Sequence, residues 1–222
     1  MFKVLNKKII AVIIIIICVF FIGGIYLLNS KKSDYKLKRS TGRVRVTSMK
    51  DNEIGRGMSY DLQAVSIDEI FNDYDTDIVR GKVKSIEPIR IKVGEKEDYR
   101  AIVTVTVDDV IRGEIKKNEM ISILIPINST VATISSQLQV GDEGIFMPVK
   151  YDNKGEEYFV QSGLDKLVLK DISDYGLLNG VYWLFIEKNG KVVFEEGIYN
   201  NLTDVKDLDK VSSYIKEQLA VR

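Results

Sequence analysis

Asp73, Asp75 and Asp77 place three carboxylates at alternate positions. This matches the opening ligands of a calcium-binding loop, which then needs glycine at its sixth position and glutamate at its twelfth. Counted from Asp73, those positions hold Ile78 and Lys84, so the acids read as a helix-to-strand connection. Arg80, Lys82 and Lys84 form a second pattern, a basic strand face that Arg90 and Lys92 extend. A nucleic-acid groove of that kind needs aromatic residues on which bases stack. None alternates with these cations, so the pattern reads as a solvated strand face. Ser33-x-x-Lys36 and Ser213-x-x-Lys216 match the first element of a serine acyl-enzyme, but its companion elements are missing. Paired carboxylates cleave glycosides without histidine, and Asp108-Asp109 and Asp142-Glu143 are the adjacent pairs weighed for that role. Both look like turn residues.

Composition removes most other chemistry. The chain has no histidine, and its one cysteine is Cys18. A Ser-His-Asp triad, a Cys-His pair, a Cys/His zinc site and a disulfide framework are therefore all excluded beyond residue 28. No catalytic, cofactor-binding or metal-ligating residue is expected.

These residues are positioned by a chain with a strongly uneven layout. From Ile9 to Leu28 there are twenty uncharged residues, nine of them isoleucine. At about 1.5 Å per helical residue, roughly twenty residues match a hydrocarbon core of about 30 Å. The run exceeds the apolar region of a cleaved signal peptide, and Ile15-Ile16-Ile17 before Cys18 does not suit a lipoprotein signal. The expectation is an uncleaved single-pass transmembrane anchor contacting the bilayer. Formal charge is zero overall, but residues 1–50 hold eleven Lys or Arg and one acid, Asp34. That leaves 21 basic and 31 acidic residues, a net of −10, after Lys50. A basic stem suits anionic lipid or a wall polymer. An acidic folded part argues against nucleic acid.

The expected organisation is a tail (1–8), the anchor (9–28), a basic stem or linker (29–58), a β-barrel domain (59–163), and a hairpin with an amphipathic helix packed on it (164–222). Ser66-Ile67-Asp68-Glu69 is a capping box that opens a short helix. Strand signals follow at 79–93 with a bend at Pro88, at 102–107, at 120–125 up to Pro126, at 145–151, and at 157–161. Residues 152–155 read as the hairpin loop between the last two. Residues 43–47 alternate like an edge strand. Asn189-Gly190 marks a hairpin between 181–187 and 191–194. Val205, Leu208, Val211, Ile215 and Leu219 recur at helical spacing. Tyr175, Tyr182, Trp183 and Phe185 are expected to pack between that hairpin and the helix.

Three stretches carry a resemblance: residues 74–83, with Asp77-Ile78-Val79-Arg80-Gly81-Lys82-Val83; residues 105–114, with Val110-Ile111-Arg112-Gly113-Glu114; and residues 140–146, with Val140-Gly141-Asp142-Glu143-Gly144. Over about 66–163 the chain resembles a set of uncharacterised bacterial exported or membrane-anchored proteins. Their shared domain looks like an OB-like barrel of the netrin or tissue-inhibitor-of-metalloproteinase type. The resemblance implies a mainly β fold with flanking helices, a five-stranded OB-like barrel and an extracytoplasmic location. It brings no catalytic residues. Pro148 departs from the pattern and marks its strand as an edge. The function expected is a non-catalytic, membrane-anchored domain binding a protein or envelope component. A carboxylate-dependent envelope enzyme, or a nucleic-acid-binding OB module if the domain is cytoplasmic, are the alternatives.

Overall fold

The computed structural model describes residues 34–50, 65–127, 132–151, 159–202 and 205–220. The expected anchor at 9–28 and the loop at 152–155 lie outside them. Among the described residues, no helix is long and apolar enough to cross a membrane.

The fold is mainly β. In chain order it comprises β1 (Val44–Ser48), α1 (Ile67–Asn72), β2 (Ile78–Val93), β3 (Lys96–Arg112), β4 (Met120–Pro126), β5 (Glu143–Phe146), β6 (Val149–Lys150), β7 (Phe159–Ser162), β8 (Asp165–Val168), β9 (Tyr175–Gly176), β10 (Leu184–Lys188), β11 (Lys191–Val193) and α2 (Leu208–Ala220). One sheet runs β11-β10-β5-β2-β3-β4-β9-β6, with β1 also on β2, and β7-β8 forms a separate two-stranded sheet.

β2 and β3 form one long antiparallel ribbon turning at Gly94-Glu95. A flat strand of sixteen residues would extend for about 50 Å, so the ribbon has to coil. Its register shifts at Ile78/Val79, Arg80/Gly81 and Val83/Ser85, and such bulges bend and twist a strand. At Gly81 a Cβ would lie 2.4 Å from the Thr106 carbonyl oxygen, so only glycine permits this close crossing.

The last shift leaves Lys84 unpaired and has a larger consequence. Before it, Val79 and Val83 face the main core; after it, odd-numbered Ile89, Ile91 and Val93 face a second one. One extra residue flips every following side chain, so a single strand serves two cores. The bend expected at Pro88 does not occur, and the strand runs through it. The Pro88 carbonyl accepts from the Met49 N–H at 2.8 Å, so its missing donor faces the end of β1, just past the last ladder pair of Ser48 with Ile89.

The expected fourth strand is broken at Met147-Pro148 into β5 and β6. β5 is no edge: it pairs with both β2 and β10. β6 pairs with β9, and Val149 bridges Thr76 just ahead of β2. The sheet is thereby a curled half-barrel. β7 pairs with β8, not with the strand before it, which corrects the expected hairpin across 152–155.

Two further boundaries shift. The described part of the expected stem is folded, because β1 pairs with β2 over Val44 to Ser48. The expected hairpin and helix beyond residue 163 continue the same sheet, with β10 on β5 and β9 parallel to β4. Asn189 and Gly190 both adopt positive φ (52° and 71°), as a tight hairpin turn requires. α2 begins later than its periodicity suggests, where the Asp207 carboxylate accepts from the Lys210 N–H at 2.9 Å. Val205 is buried ahead of it, its carbonyl bonded to the Val192 N–H.

The main core is aromatic. Trp183, Tyr199, Phe71, Phe146 and Phe185 are essentially inaccessible, and Phe185 packs against Phe194 and Tyr199 with ring centroids 5.6 and 4.7 Å away. The second core is smaller, built on Val46, Ile89, Ile91, Leu124, Leu167 and neighbours, and covered by Tyr35 and Leu37.

Candidate functional site

The polar motifs come together, but as a structural lock. The Asp77 carboxylate accepts from the Glu114 N–H at 2.7 Å. Gly113 has φ of +110°, and a Cβ there would fall 1.7 Å from Asp77 Oδ1. The Arg112 guanidinium donates to the carbonyls of Phe71 (2.6 Å) and Thr76 (2.9 Å) and to the Thr76 hydroxyl. It thus satisfies the carbonyl end of α1, whose N-terminus carries the expected capping box of Ser66 and Glu69. Hydrogen bonds from the Ser66 backbone and hydroxyl hold the Glu69 carboxyl below its usual range. The first two motif stretches are therefore explained by this lock. In the third, Asp142 accepts from the Gln139 N–H (2.8 Å) and from Lys188 Nζ (3.0 Å).

The other candidates fall apart as sites. Asp73 caps the end of α1, and no group of three or more acidic, His or Cys side chains able to hold a metal ion occurs among the described residues. Arg80 pairs with Glu143 and Asp209, and Lys82 with Glu143, while the bulge at Lys84 turns Arg90 and Lys92 to the opposite face of the sheet, so the expected continuous basic face does not form. Asp108 and Asp109 are exposed on β3, with Asp109 opposite Arg80. Ser213 and Lys216 are exposed on α2, and Ser33 lies outside the described residues. Tyr182, Trp183 and Phe185 pack in the core, as expected, while Tyr175 is half-buried.

What the strand patterns did not reveal is an open slot of about 580 Å³ on the main-core side of the β2–β3–β4 sheet. Such a volume lies within the ordinary range of ligand pockets. Its floor is Ala101, Val103 and Ile125, all at most 1% exposed; Ile86 and Pro88 form one wall. Its lip is the segment from Ser135 to Val140, and Val140 is 64% exposed. The lip is pinned at both ends. Ser135 donates from Oγ to the Pro126 carbonyl (2.6 Å) and from N–H to the Gly180 carbonyl (2.9 Å). At the other end, the Gly141 N–H bonds the Val83 carbonyl (2.9 Å) and the Val83 N–H bonds the Asp142 carbonyl (2.9 Å). No ionisable side chain lines the slot among the described residues. It offers dispersion contact and desolvation, with no acid, base or paired nucleophile.

A second cavity of about 580 Å³ sits between β11 and the approach to α2, with Val192, Phe194, Leu202 and Val205 below and Lys191, Glu196 and Lys206 at its rim. Its mixed charges give it no clear preference for one ligand sign.

Comparison with family models, with curated proteins and with solved structures finds no match.

Proposed function

We propose that this is a single-pass membrane-anchored domain, extracytoplasmic and non-catalytic, that binds an apolar element of a protein or envelope component in the β2–β3–β4 slot. The slot carries this reading: it is pinned at its lip and, among the described residues, lined without ionisable groups. The domain itself is read as OB-like. Strand pairing supports that: β2, β3 and β4 form a meander, β4 is parallel to β9, and the strand broken at Pro148 joins β9 through β6 to β2 through β5. On this reading the pairings correspond to the five-membered, partly open arrangement that OB barrels use. The anchor reading rests on the uncharged run at residues 9–28.

The test uses the full-length chain in its own membrane, with a photo-crosslinking amino acid at Ser136. The expected result is one adduct of discrete mass, reduced at least fivefold by Val140→Asp, which charges an exposed lip position without touching the core. Absence of an adduct, or one indifferent to Val140→Asp, removes the slot as the binding site. Protease treatment of intact cells carrying a C-terminal epitope tests the side: digestion is expected, and protection puts the domain in the cytoplasm.

A further inference from the structure

The cavity beside β11 joins an apolar floor to charges of both signs. Val192, Phe194, Leu202 and Val205 form the floor, and all four are buried. Phe194 belongs to an aromatic cluster with Phe185 and Tyr199, at centroid distances of 5.6 and 6.2 Å. Lys191, Glu196, Asn200 and Lys206 stand exposed around it.

Two short segments supply this rim, one for each sign. The Val192 N–H bonds the Val205 carbonyl at 3.1 Å, which joins β11 to the approach to α2, and Lys191 and Lys206 flank that joint. Glu196 and Asn200 come from the turn that follows β11. There the Glu195 carbonyl accepts from the N–H groups of Ile198 (3.2 Å) and Tyr199 (3.1 Å). The buried Tyr199 hydroxyl donates to the Tyr182 carbonyl at 2.5 Å. The turn is thus anchored to the core while its polar side chains stay outside.

None of these four side chains has a hydrogen-bond or ion-pair partner among the described residues. Lysines elsewhere on the surface do: Lys82, Lys150, Lys170 and Lys188 each reach a carboxylate. At this rim, two cations and one anion share a cavity and remain unpaired. An apolar floor under separate positive and negative poles complements a ligand that is apolar in the middle and oppositely ionised at its ends. A short apolar peptide with free termini has that layout. A volume of 580 Å³ corresponds to about 10 Å across, which about three extended residues span.

We infer that this cavity is a binding site for short apolar peptides with free termini. Lys191 and Lys206 take the carboxylate, Glu196 and the Asn200 side-chain carbonyl take the ammonium, and apolar side chains rest on Phe194 and its neighbours. The site is separate from the β2–β3–β4 slot and does not depend on it.

The test is calorimetric titration of the full-length chain, held in detergent, with the tripeptide alanyl-phenylalanyl-leucine. Saturable binding is expected. N-acetylating the peptide and amidating its C-terminus are each to weaken it about fivefold, the upper end for solvent-exposed charge pairs. Glu196→Gln is to remove the penalty of acetylation alone, and Lys191→Gln with Lys206→Gln that of amidation alone. These positions are exposed, and a merely structural role would move neither penalty. Val140→Asp, in the lip of the slot, is to change nothing. The inference is overturned if no saturable binding occurs at millimolar peptide, if blocking either end leaves affinity unchanged, or if the rim variants leave both penalties in place. It is overturned equally if Val140→Asp abolishes binding, which puts the peptide in the slot.

Discussion

At the Arg112 end of the β2–β3 ribbon, the chain is held by a buried lock over an aromatic core; at the Gly94 end, it is held over a small aliphatic core by carboxylates that range from buried Asp165 through half-buried Asp171 to exposed Glu87. In the first region Asp77 is only 8% exposed and its acceptor role depends on the left-handed Gly113 beside it. In the second, Asp171 and Asp165 hold backbone N–H groups of a segment that shares only a five-residue strand with the sheet. The difference predicts two stabilities in one fold: a global unit, and an N-terminal cover that opens at lower cost.

Breaking the first region is expected to cost most. Phe185→Ala removes a fully buried ring from contact with Phe194 and Tyr199 and is expected to destabilise by about 3–5 kcal/mol. Denaturant unfolding measures it, with β1 and the main core lost in one transition. Next is Gly113→Ala, where the new Cβ collides with the Asp77 carboxylate at unfavourable φ. A loss of about 2–3 kcal/mol is expected. Pairing it with Asp77→Gly, which clears the space, is to recover part of that loss in a double-mutant cycle.

Asp171→Ala sharpens the contrast from the other side. It strips the hydrogen bonds from Arg39 and Ser40 and is expected to cost about 1 kcal/mol, at the low end because the group is half-exposed. Hydrogen exchange is to accelerate at residues 39–48 while Val103 and Val105 stay protected. Burial alone raises the Asp171 carboxyl, but hydrogen bonds from Arg39, Ser40 and Lys38 outweigh it and hold it below the ordinary range. The stability it contributes is thus present above the unfolded value of about 3.9 and fades as pH falls through the lower folded one. Glu69 is lowered as well, so local exchange, not the global midpoint, is the measurement that isolates the cover. Tyr35 is shifted the opposite way: burial, with its bond to Glu87, pushes its hydroxyl above the tyrosine range, so the cover gains no alkaline sensitivity near neutrality.

The sequence was legible wherever the signal is local. Ser66 with Glu69, the β-branched run at 102–107, Asn189-Gly190 and the spacing from Leu208 to Leu219 each encode their own structure within a few residues. The bulge at Lys84 was not legible, because nothing in Val83-Lys84-Ser85 says which residue is left unpaired; the partner strand decides. Two-residue β9 has no periodicity to read, and its parallel pairing with β4 joins residues 52 positions apart. The slot was hidden for a related reason. Ile86, Val103, Ile125 and Leu138 each read as an ordinary core position, and only the curl of the sheet leaves space between them. Residues 34–50 misled through their charge: the lysines point outward, and the inward partners, Tyr35, Leu37 and Val46, are too few to register as a strand pattern.

The smallest effect separates two ways of holding the cover. Arg43 pairs through its guanidinium with Glu95 (3.1 Å) and Asp165 (3.3 Å), yet its side chain is 73% exposed. Solvent-exposed pairs contribute little, whereas the Arg43 backbone N–H reaches the Asp165 carboxylate directly and survives truncation. Arg43→Ala is therefore expected to cost no more than about 0.5 kcal/mol and to leave exchange at residues 39–48 unchanged at physiological salt. If it instead opens that segment as far as Asp171→Ala does, charge pairing holds the cover, and its attachment must weaken steeply as ionic strength rises.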